Sequence, residues 1–133
     1  MYLGESSKET KVIFDTGSDW LIVNGKGCKS CFGNLYDPST SDYFVPPDAL
    51  KGRTKKRYGT FVTVEGVIVK DQVCLSPRNV CVDPLEFFFV LDQVGMPLGA
   101  DGIMGLAMGQ TPSGRFNMPK DFNIGISLLT DLR

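Results

Sequence analysis

Short apolar runs, each interrupted by glycine or proline, constrain the fold of this chain more than any other feature of its sequence. The 133 residues include 15 glycines and 8 prolines, and the β-branched and aromatic residues fall in short runs between them. This spacing favours an all-β sandwich or barrel over alternating helices and strands. The predicted strands cover residues 11–14, 20–23, 58–75, 85–91 and 102–106.

Helical spacing occurs only near the end of the sequence, at residues 124–132, so little helix is predicted. The pair Glu65-Gly66 is typical of a hairpin turn. The sequence shows no internal repeat and no low-complexity linker, and its length suits one domain with one core. We therefore expect a single domain that spans residues 1–133.

The charge pattern excludes some classes of partner. The formal net charge is −1, so no global field draws the protein toward nucleic acid or an anionic membrane. The one strong charge run, residues 51–57, is interpreted as a solvated loop before a strand, with dibasic processing or a phosphate contact as alternatives. No aromatic residues interleave with this run, as they would in a nucleic-acid groove.

Membrane and targeting signals are weak. The longest apolar run, residues 87–91, is far too short to span a bilayer. No secretory signal peptide opens the sequence. The protein is therefore expected either to be intracellular or to begin after processing.

The sequence contains no histidine, which removes Ser-His and Cys-His catalytic pairs and the common His-containing zinc sites. Its four cysteines form two local pairs, Cys28 with Cys31 and Cys74 with Cys81. An even count at short spacing favours two disulfides in an oxidising compartment. A four-thiolate zinc site and a redox Cys-x-x-Cys remain open as alternatives.

The residues with the clearest chemical meaning surround Asp15. This carboxylate is predicted to lie in a tight turn between two apolar strands, which would hold it on a rigid scaffold. Gly17 allows a backbone N–H to approach it, and Ser18 supplies a neighbouring hydroxyl. Asp-Thr-Gly alone is a weak signal, and aspartate is common in turns because it bonds nearby backbone N–H groups. The flanking strands make the signal much stronger.

With these flanks, the sequence resembles the amino-terminal lobe of pepsin-like (cathepsin D-like) aspartic proteases. The resemblance implies an all-β lobe, a β-barrel or sandwich with a flap hairpin. The loop between Cys74 and Cys81, followed by a phenylalanine-rich strand, resembles the enzymes of ciliated protozoa. Five further landmarks follow in the family's order: Tyr2-Leu3-Gly4, the Cys28–Cys31 loop, the stretch from Tyr36 to Ser41, Tyr58-Gly59-Thr60, and the strand from Asp101 to Leu106.

The resemblance implies that Asp15 is one member of a catalytic carboxylate pair, with Gly17 and Ser18 orienting it. Thr16 would brace this loop against the matching loop of a second lobe. Such a pair shares one proton, and together the two groups activate a water molecule for peptide hydrolysis. The mechanism requires no metal and no organic cofactor, and none is expected.

The resemblance also places the substrate-binding residues. Tyr58, Gly59 and Thr60 would form the tip of the flap that closes over a peptide substrate. Ile103 would line a pocket for an apolar side chain next to the scissile bond. The compartments typical of this family, together with the paired cysteines, predict a lysosomal, vacuolar or secreted protein.

The match fails in one important respect, because no second Asp-Thr-Gly or Asp-Ser-Gly occurs. Residues 1–133 are therefore expected to be one lobe of an aspartic endopeptidase, catalytically incomplete as a lone monomer. The second carboxylate would come from a second lobe in the same longer chain, from a separate chain, or from a symmetric copy of this one.

Two further departures favour an alternative function. Ile22 occupies the place where most relatives have a tryptophan that steadies the flap tyrosine, although Trp20 lies on the same strand face. Phe61 replaces the glycine that usually follows Tyr-Gly-Thr. The family pattern also places Gly66 inside a strand rather than in a turn. The alternative is a non-catalytic, protease-like lobe that binds a peptide or has a structural role.

Overall fold

The computed structural model describes residues 1–4, 9–15, 18, 20–49, 52–58, 61–77, 79–97 and 99–106. Within these ranges the only helical element is a 3₁₀ turn at Pro38–Thr40, so the all-β prediction is confirmed. The helix predicted at residues 124–132 lies outside the described residues. No helix in these ranges is long and apolar enough to cross a membrane. The strands are β1 (Tyr2–Leu3), β2 (Val12–Asp15), β3 (Leu21–Asn24), β4 (Thr54–Tyr58), β5 (Val62–Ser76), β6 (Asn79–Val94) and β7 (Gly102–Gly105).

The two longest strands, β5 and β6, form an antiparallel hairpin that is the centre of the sheet. The turn predicted at Glu65-Gly66 is wrong, because both residues lie inside β5, where a β-bulge shifts the register between them. A Cβ atom at Gly66 would lie 2.0 Å from the carbonyl oxygen of Phe89. Glycine is therefore needed here because the backbone of β6 approaches closely, not because the chain reverses.

The structure also differs from the prediction at the charge run, residues 51–57. It was predicted to be a loop, but its second half forms most of β4, which pairs antiparallel with β5. Among the described residues β4 pairs with β5 alone, and an edge strand of this kind readily carries charged side chains. Lys55 and Arg57 are exposed, whereas Lys56 between them is half-buried.

The order of strands places β7 between β2 and β3. The path through the sheet is β1-β5-β6-β3-β7-β2. β7 pairs parallel with β2 and antiparallel with β3, so β2 and β3 flank the same strand. The end of β2, at Asp15, and the start of β3, at Leu21, therefore both lie at the carboxyl end of β7. The landmark stretch from Asp101 to Leu106 thus contains the strand that pairs with both sides of the Asp15 loop.

Apolar side chains cover both faces of the central strands. In β6, Phe87 and Phe88 are fully buried in different clusters, as expected from the alternation of side chains along a strand. The first cluster contains Leu3, Leu21, Val23, Tyr36, Val69, Val73, Leu85, Phe87, Phe89 and Met104. The second contains Ile22, Cys28, Val64, Phe88, Val90, Met96 and Ile103.

Both predicted disulfides are present, Cys28–Cys31 and Cys74–Cys81. Cys74 and Cys81 face each other across the β5–β6 hairpin. The bonded sulfurs leave no thiolate for the alternative four-cysteine zinc site. The described part of the chain also has no group of three or more side chains suited to hold a metal ion.

A buried polar cluster joins the first core to the loop after the 3₁₀ turn. Asp71 is fully buried, and its carboxylate accepts hydrogen bonds from the Tyr36 hydroxyl and, at 2.8 Å, from the Ser41 hydroxyl. The backbone N–H of Gln72 donates to it at 2.7 Å. Burial, with the hydrogen bond to Asp71, raises the pKa of the Tyr36 phenol above its ordinary value.

Removal of the Tyr36 hydroxyl is expected to destabilise the fold by about 1–2 kcal/mol near neutral pH, because the Asp71 carboxylate loses a partner. A raised folded pKa means that the unfolded chain loses the phenol proton first as the pH rises. Stability should therefore fall above about pH 10 in the wild type and fall less steeply in Tyr36→Phe. Urea unfolding at neutral and alkaline pH measures both effects. Tyr43→Phe, at an exposed tyrosine, is the control that should change neither.

Candidate active site

Asp15 is the last residue of β2, and hydrogen bonds to the end of β7 fix its backbone. In the parallel ladder its Cα atom pairs with that of Gly105. Its carbonyl oxygen accepts a hydrogen bond from the N–H of Leu106 at 2.8 Å, and the N–H of Gly105 donates to the carbonyl oxygen of Trp20, also at 2.8 Å. Both ends of the segment from Asp15 to Trp20 are thus attached to β7. The half-buried side chain of Asp15 projects from a rigid element.

Ser18 is the one predicted support residue of Asp15 that the structure describes, since Thr16 and Gly17 lie outside the described residues. The hydroxyl oxygen of Ser18 is buried, and within the described part of the chain it has no hydrogen-bond partner. A buried hydroxyl without a partner costs about 1–3 kcal/mol. We therefore expect the Ser18 hydroxyl to form a hydrogen bond with another group of this loop or with a ligand.

The β4–β5 hairpin is the predicted flap. Tyr58 ends β4, is half-buried and packs against the second core cluster. Gly59 and Thr60 lie outside the described residues. Phe61, which begins the return toward β5, exposes 84% of its surface. The hairpin thus presents one aromatic ring to the sheet and another to solvent.

Trp20 lies between the Asp15 loop and the flap strand. Its ring contacts that of Phe88 in a tilted arrangement with a centroid separation of 5.5 Å, and it packs against the second cluster, as does Tyr58. The ammonium nitrogen of Lys56 lies 3.8 Å from the centroid of the Trp20 ring and 5.4 Å from that of Tyr58. Ile22 belongs to the same cluster, so the expectation that Trp20 and Ile22 share a strand face is confirmed.

Ile103 lies at the centre of β7, with Ile13 of β2 and Ile22 of β3 as its register partners. It is 7% exposed and belongs to the second cluster, against which Trp20 and Tyr58 pack. The structure therefore brings Ile103 into the same cluster as the flap tyrosine. Its role in lining a substrate pocket stays a prediction.

Sequence reasoning missed two features of this region. The charge run gave no sign that Lys56 faces inward. Side chains alternate between two faces only in a strand, and β4 was not predicted to be one. The sequence also gave no sign that Ile13 and Phe14, which are apolar, are 40% and 50% exposed. They lie on β2, the last strand in the sheet order. Two exposed apolar side chains, on opposite faces of β2, therefore precede Asp15 in this strand.

Asp101, the other aspartate near β7, has a structural environment. It is 3% exposed, and its two carboxylate oxygens accept hydrogen bonds from the N–H groups of Lys11 at 2.9 Å and Asn34 at 2.8 Å. It precedes the first residue of β7, whereas Asp15 is level with the last. Asp101 therefore secures the opposite end of this strand and is not a partner for Asp15.

Comparison with known families agrees with this geometry. A family model described as eukaryotic aspartyl protease matches residues 1–125. The chain belongs to the eukaryotic aspartyl protease family. A search of curated proteins finds no match to the chain.

The match to the aspartyl protease family runs from β1 through β7 and includes the Asp15 loop and the β4–β5 hairpin. A pepsin-like amino-terminal lobe is thus supported by the sequence landmarks, by the all-β fold and by the family model. Membership indicates a protease in general terms. The narrower resemblance to ciliate enzymes stays a prediction.

Proposed function

We propose that this chain is the Asp15-bearing lobe of an aspartic endopeptidase. The observation that best supports the proposal is the attachment of Asp15 to the end of β7, through the 2.8 Å hydrogen bond from the N–H of Leu106. Catalysis by a carboxylate pair requires each carboxylate to be held at a fixed position relative to its partner and the substrate. A strand end held by the neighbouring strand meets this requirement.

In the proposed mechanism Asp15 shares one proton with a second carboxylate, because two adjacent carboxylates do not both ionise. The ionised member takes a proton from a water molecule, whose oxygen attacks the carbonyl carbon of the peptide bond. The protonated member donates its proton to the carbonyl oxygen, which gives a tetrahedral intermediate. Collapse of this intermediate breaks the C–N bond, and the carboxyl group that took the proton from water passes it to the leaving amine nitrogen. The pKa values of such a pair belong to both groups together. Gly17 and Ser18 orient Asp15, and Thr16 braces the loop.

The second carboxylate is proposed to come from a second lobe, which belongs to the same longer chain, to a separate chain or to a symmetric copy. The exposed side chains of Ile13 and Phe14, beside Asp15, support a partner that packs against this edge. A peptide substrate would lie under the flap residues Tyr58, Gly59 and Thr60, with an apolar side chain directed toward Ile103.

The direct test of this proposal is peptide hydrolysis by the full natural polypeptide. We expect cleavage at acid pH that pepstatin, a mimic of the tetrahedral transition state, abolishes. The intact mass under denaturing, reducing conditions, compared with 14.6 kDa, establishes whether a second lobe lies in the same chain. A preparation that contains both carboxylates but cleaves no peptide at any pH would contradict the proposal.

A second candidate is a peptide-binding lobe without catalysis. The 84% exposed ring of Phe61 favours it, because an apolar residue at the flap tip suits contact with a partner better than contact with solvent. In that case Asp15→Ala would leave the affinity for the partner almost unchanged. For a protease the same change removes turnover.

The two disulfides and the family together support a place on the secretory route, in a lysosome or vacuole or outside the cell. An acid compartment would also suit a carboxylate pair that must retain one shared proton. Fractionation of the source cells, with the native protein followed by an antibody, tests this assignment.

A further inference from the structure

Lys56 occupies an unusual position for a lysine in a charge run. It lies in the middle of β4, two residues before Tyr58 and on the same face of the strand. Its neighbours Lys55 and Arg57 point the other way and are exposed, whereas Lys56 is half-buried. One cation of the run is therefore directed to the inner side of the predicted flap.

The ammonium group of Lys56 is held against an aromatic surface. Its nitrogen lies 3.8 Å from the centroid of the Trp20 ring, which is the distance of a cation–π contact, and 5.4 Å from that of Tyr58. The Trp20 ring is itself supported by Phe88. The contact thus connects the flap strand with the residue that ends the Asp15 loop, and it limits the movement of the ammonium group.

This cation has no counter-ion in the part of the chain that the structure describes. The guanidinium of Arg53, nearby in the sequence, lies 3.8 Å from a carboxylate oxygen of Glu65. Among the described residues, no carboxylate lies within ion-pair distance of the Lys56 ammonium. A lysine ammonium carries three N–H donors, and an aromatic face does not satisfy all of them. A positive charge that is partly removed from water and not neutralised attracts an anion.

We propose that Lys56 is a specificity-determining residue that selects peptide substrates with a carboxylate side chain, glutamate or aspartate, on the inner side of β4. The inference rests on the proposed protease function, because that function places the substrate between the flap and Asp15. The substrate carboxylate forms a charge-assisted hydrogen bond with the ammonium group, whereas the neutral amide of glutamine makes a weaker one. Trp20 is a positioning residue that holds the ammonium in place.

The test compares peptides that differ only by glutamate or glutamine, with the exchange made at each position of the peptide in turn. The full natural polypeptide is assayed at about pH 5.5, where a glutamate side chain is ionised. At one position kcat/KM should favour glutamate by about three- to tenfold. Lys56→Met should abolish that preference, Lys56→Arg should retain it, and the control Lys55→Met, on the exposed face, should leave it unchanged.

Two outcomes would overturn the proposal. One is a wild-type enzyme with no glutamate preference at any position. The other is a Lys56→Met enzyme that loses activity equally on both peptides of the pair, since this would mean that Lys56 only connects the flap to Trp20. Retention of the preference in Lys56→Arg shows that a loss in Lys56→Met comes from the missing charge and not from misfolding.

A binding measurement separates this inference from the proposed function. Trp20 is the only tryptophan of the sequence, so its fluorescence reports directly on the ring that Lys56 covers. Titration with the glutamate and glutamine peptides gives their affinities whether or not the peptides are cleaved. Preferential binding of the glutamate peptide that is lost in Lys56→Met, without cleavage, would support the Lys56 site and contradict the protease. Cleavage of both peptides, bound with equal affinities, would support the protease and contradict the Lys56 site.

Discussion

Replacement of Asp15 by asparagine is expected to reduce kcat/KM for peptide cleavage by at least about a thousandfold. Asparagine has nearly the size of aspartate, but it neither ionises nor shares a proton, so the attacking water is no longer activated. The fold should survive, because the hydrogen bond from Leu106 that holds this strand end uses the carbonyl oxygen of Asp15 and not its side chain. Steady-state kinetics of the full natural polypeptide at acid pH, with a thermal unfolding curve for each protein, measure both effects.

The matched control is Asp42→Asn, which removes the same charge from an exposed aspartate outside the strands. This variant should retain wild-type kinetics, so that the loss in Asp15→Asn is not an effect of net charge. If Asp15→Asn kept its activity within about tenfold of the wild type, the assignment of Asp15 as a catalytic residue would be wrong. A wild-type unfolding midpoint in Asp15→Asn would show that any loss is chemical and not structural.

The central strands could be predicted from the sequence because buried strands consist largely of consecutive apolar residues. The run at 85–91 forms the middle of β6, where Phe87 and Phe88 are both fully buried. Strand β4 could not be predicted in this way, because the residues before Tyr58 are mostly charged and show no alternation of apolar and polar side chains. Its conformation is determined by pairing with β5, which is a long-range property of the sheet.

The candidate site was predictable where a motif encodes it and not where distant residues meet. Asp15 follows from a local pattern of loop and flanking strands. The contact between Lys56 and Trp20 depends on the alternation of β4 and on the path of the chain around β7, and neither can be obtained from the two local sequences. The exposure of Ile13 likewise depends on the position of β2 in the sheet order. Local sequence determines the conformational preference of a residue, whereas sheet topology determines which distant residues it contacts.

The absence of a side chain at Gly102 is important both for the fold and for the candidate site. It is the first residue of β7, which lies between β2 and β3. A Cβ atom at Gly102 would lie 2.2 Å from the carbonyl oxygen of Ile22 and 3.2 Å from the Cα atom of Val23. Both are backbone atoms of β3, so a change of rotamer cannot relieve the contact. Any side chain here must push β3 and β7 apart.

Gly102→Ala is therefore expected to destabilise the protein by about 3 kcal/mol or more, toward the upper end of the cost of overpacking a core. The midpoint of thermal unfolding should fall by about 10 °C for a domain of this size. Gly99→Ala is the matched control: its φ is +88° and no atom lies within 4 Å of the added Cβ, so it should cost only about 1–2 kcal/mol of backbone strain. Equal losses in the two variants would contradict the steric explanation. Because β7 carries the hydrogen bonds that hold the Asp15 loop, Gly102→Ala should also lower kcat at temperatures where the variant is still folded, whereas Gly99→Ala should not.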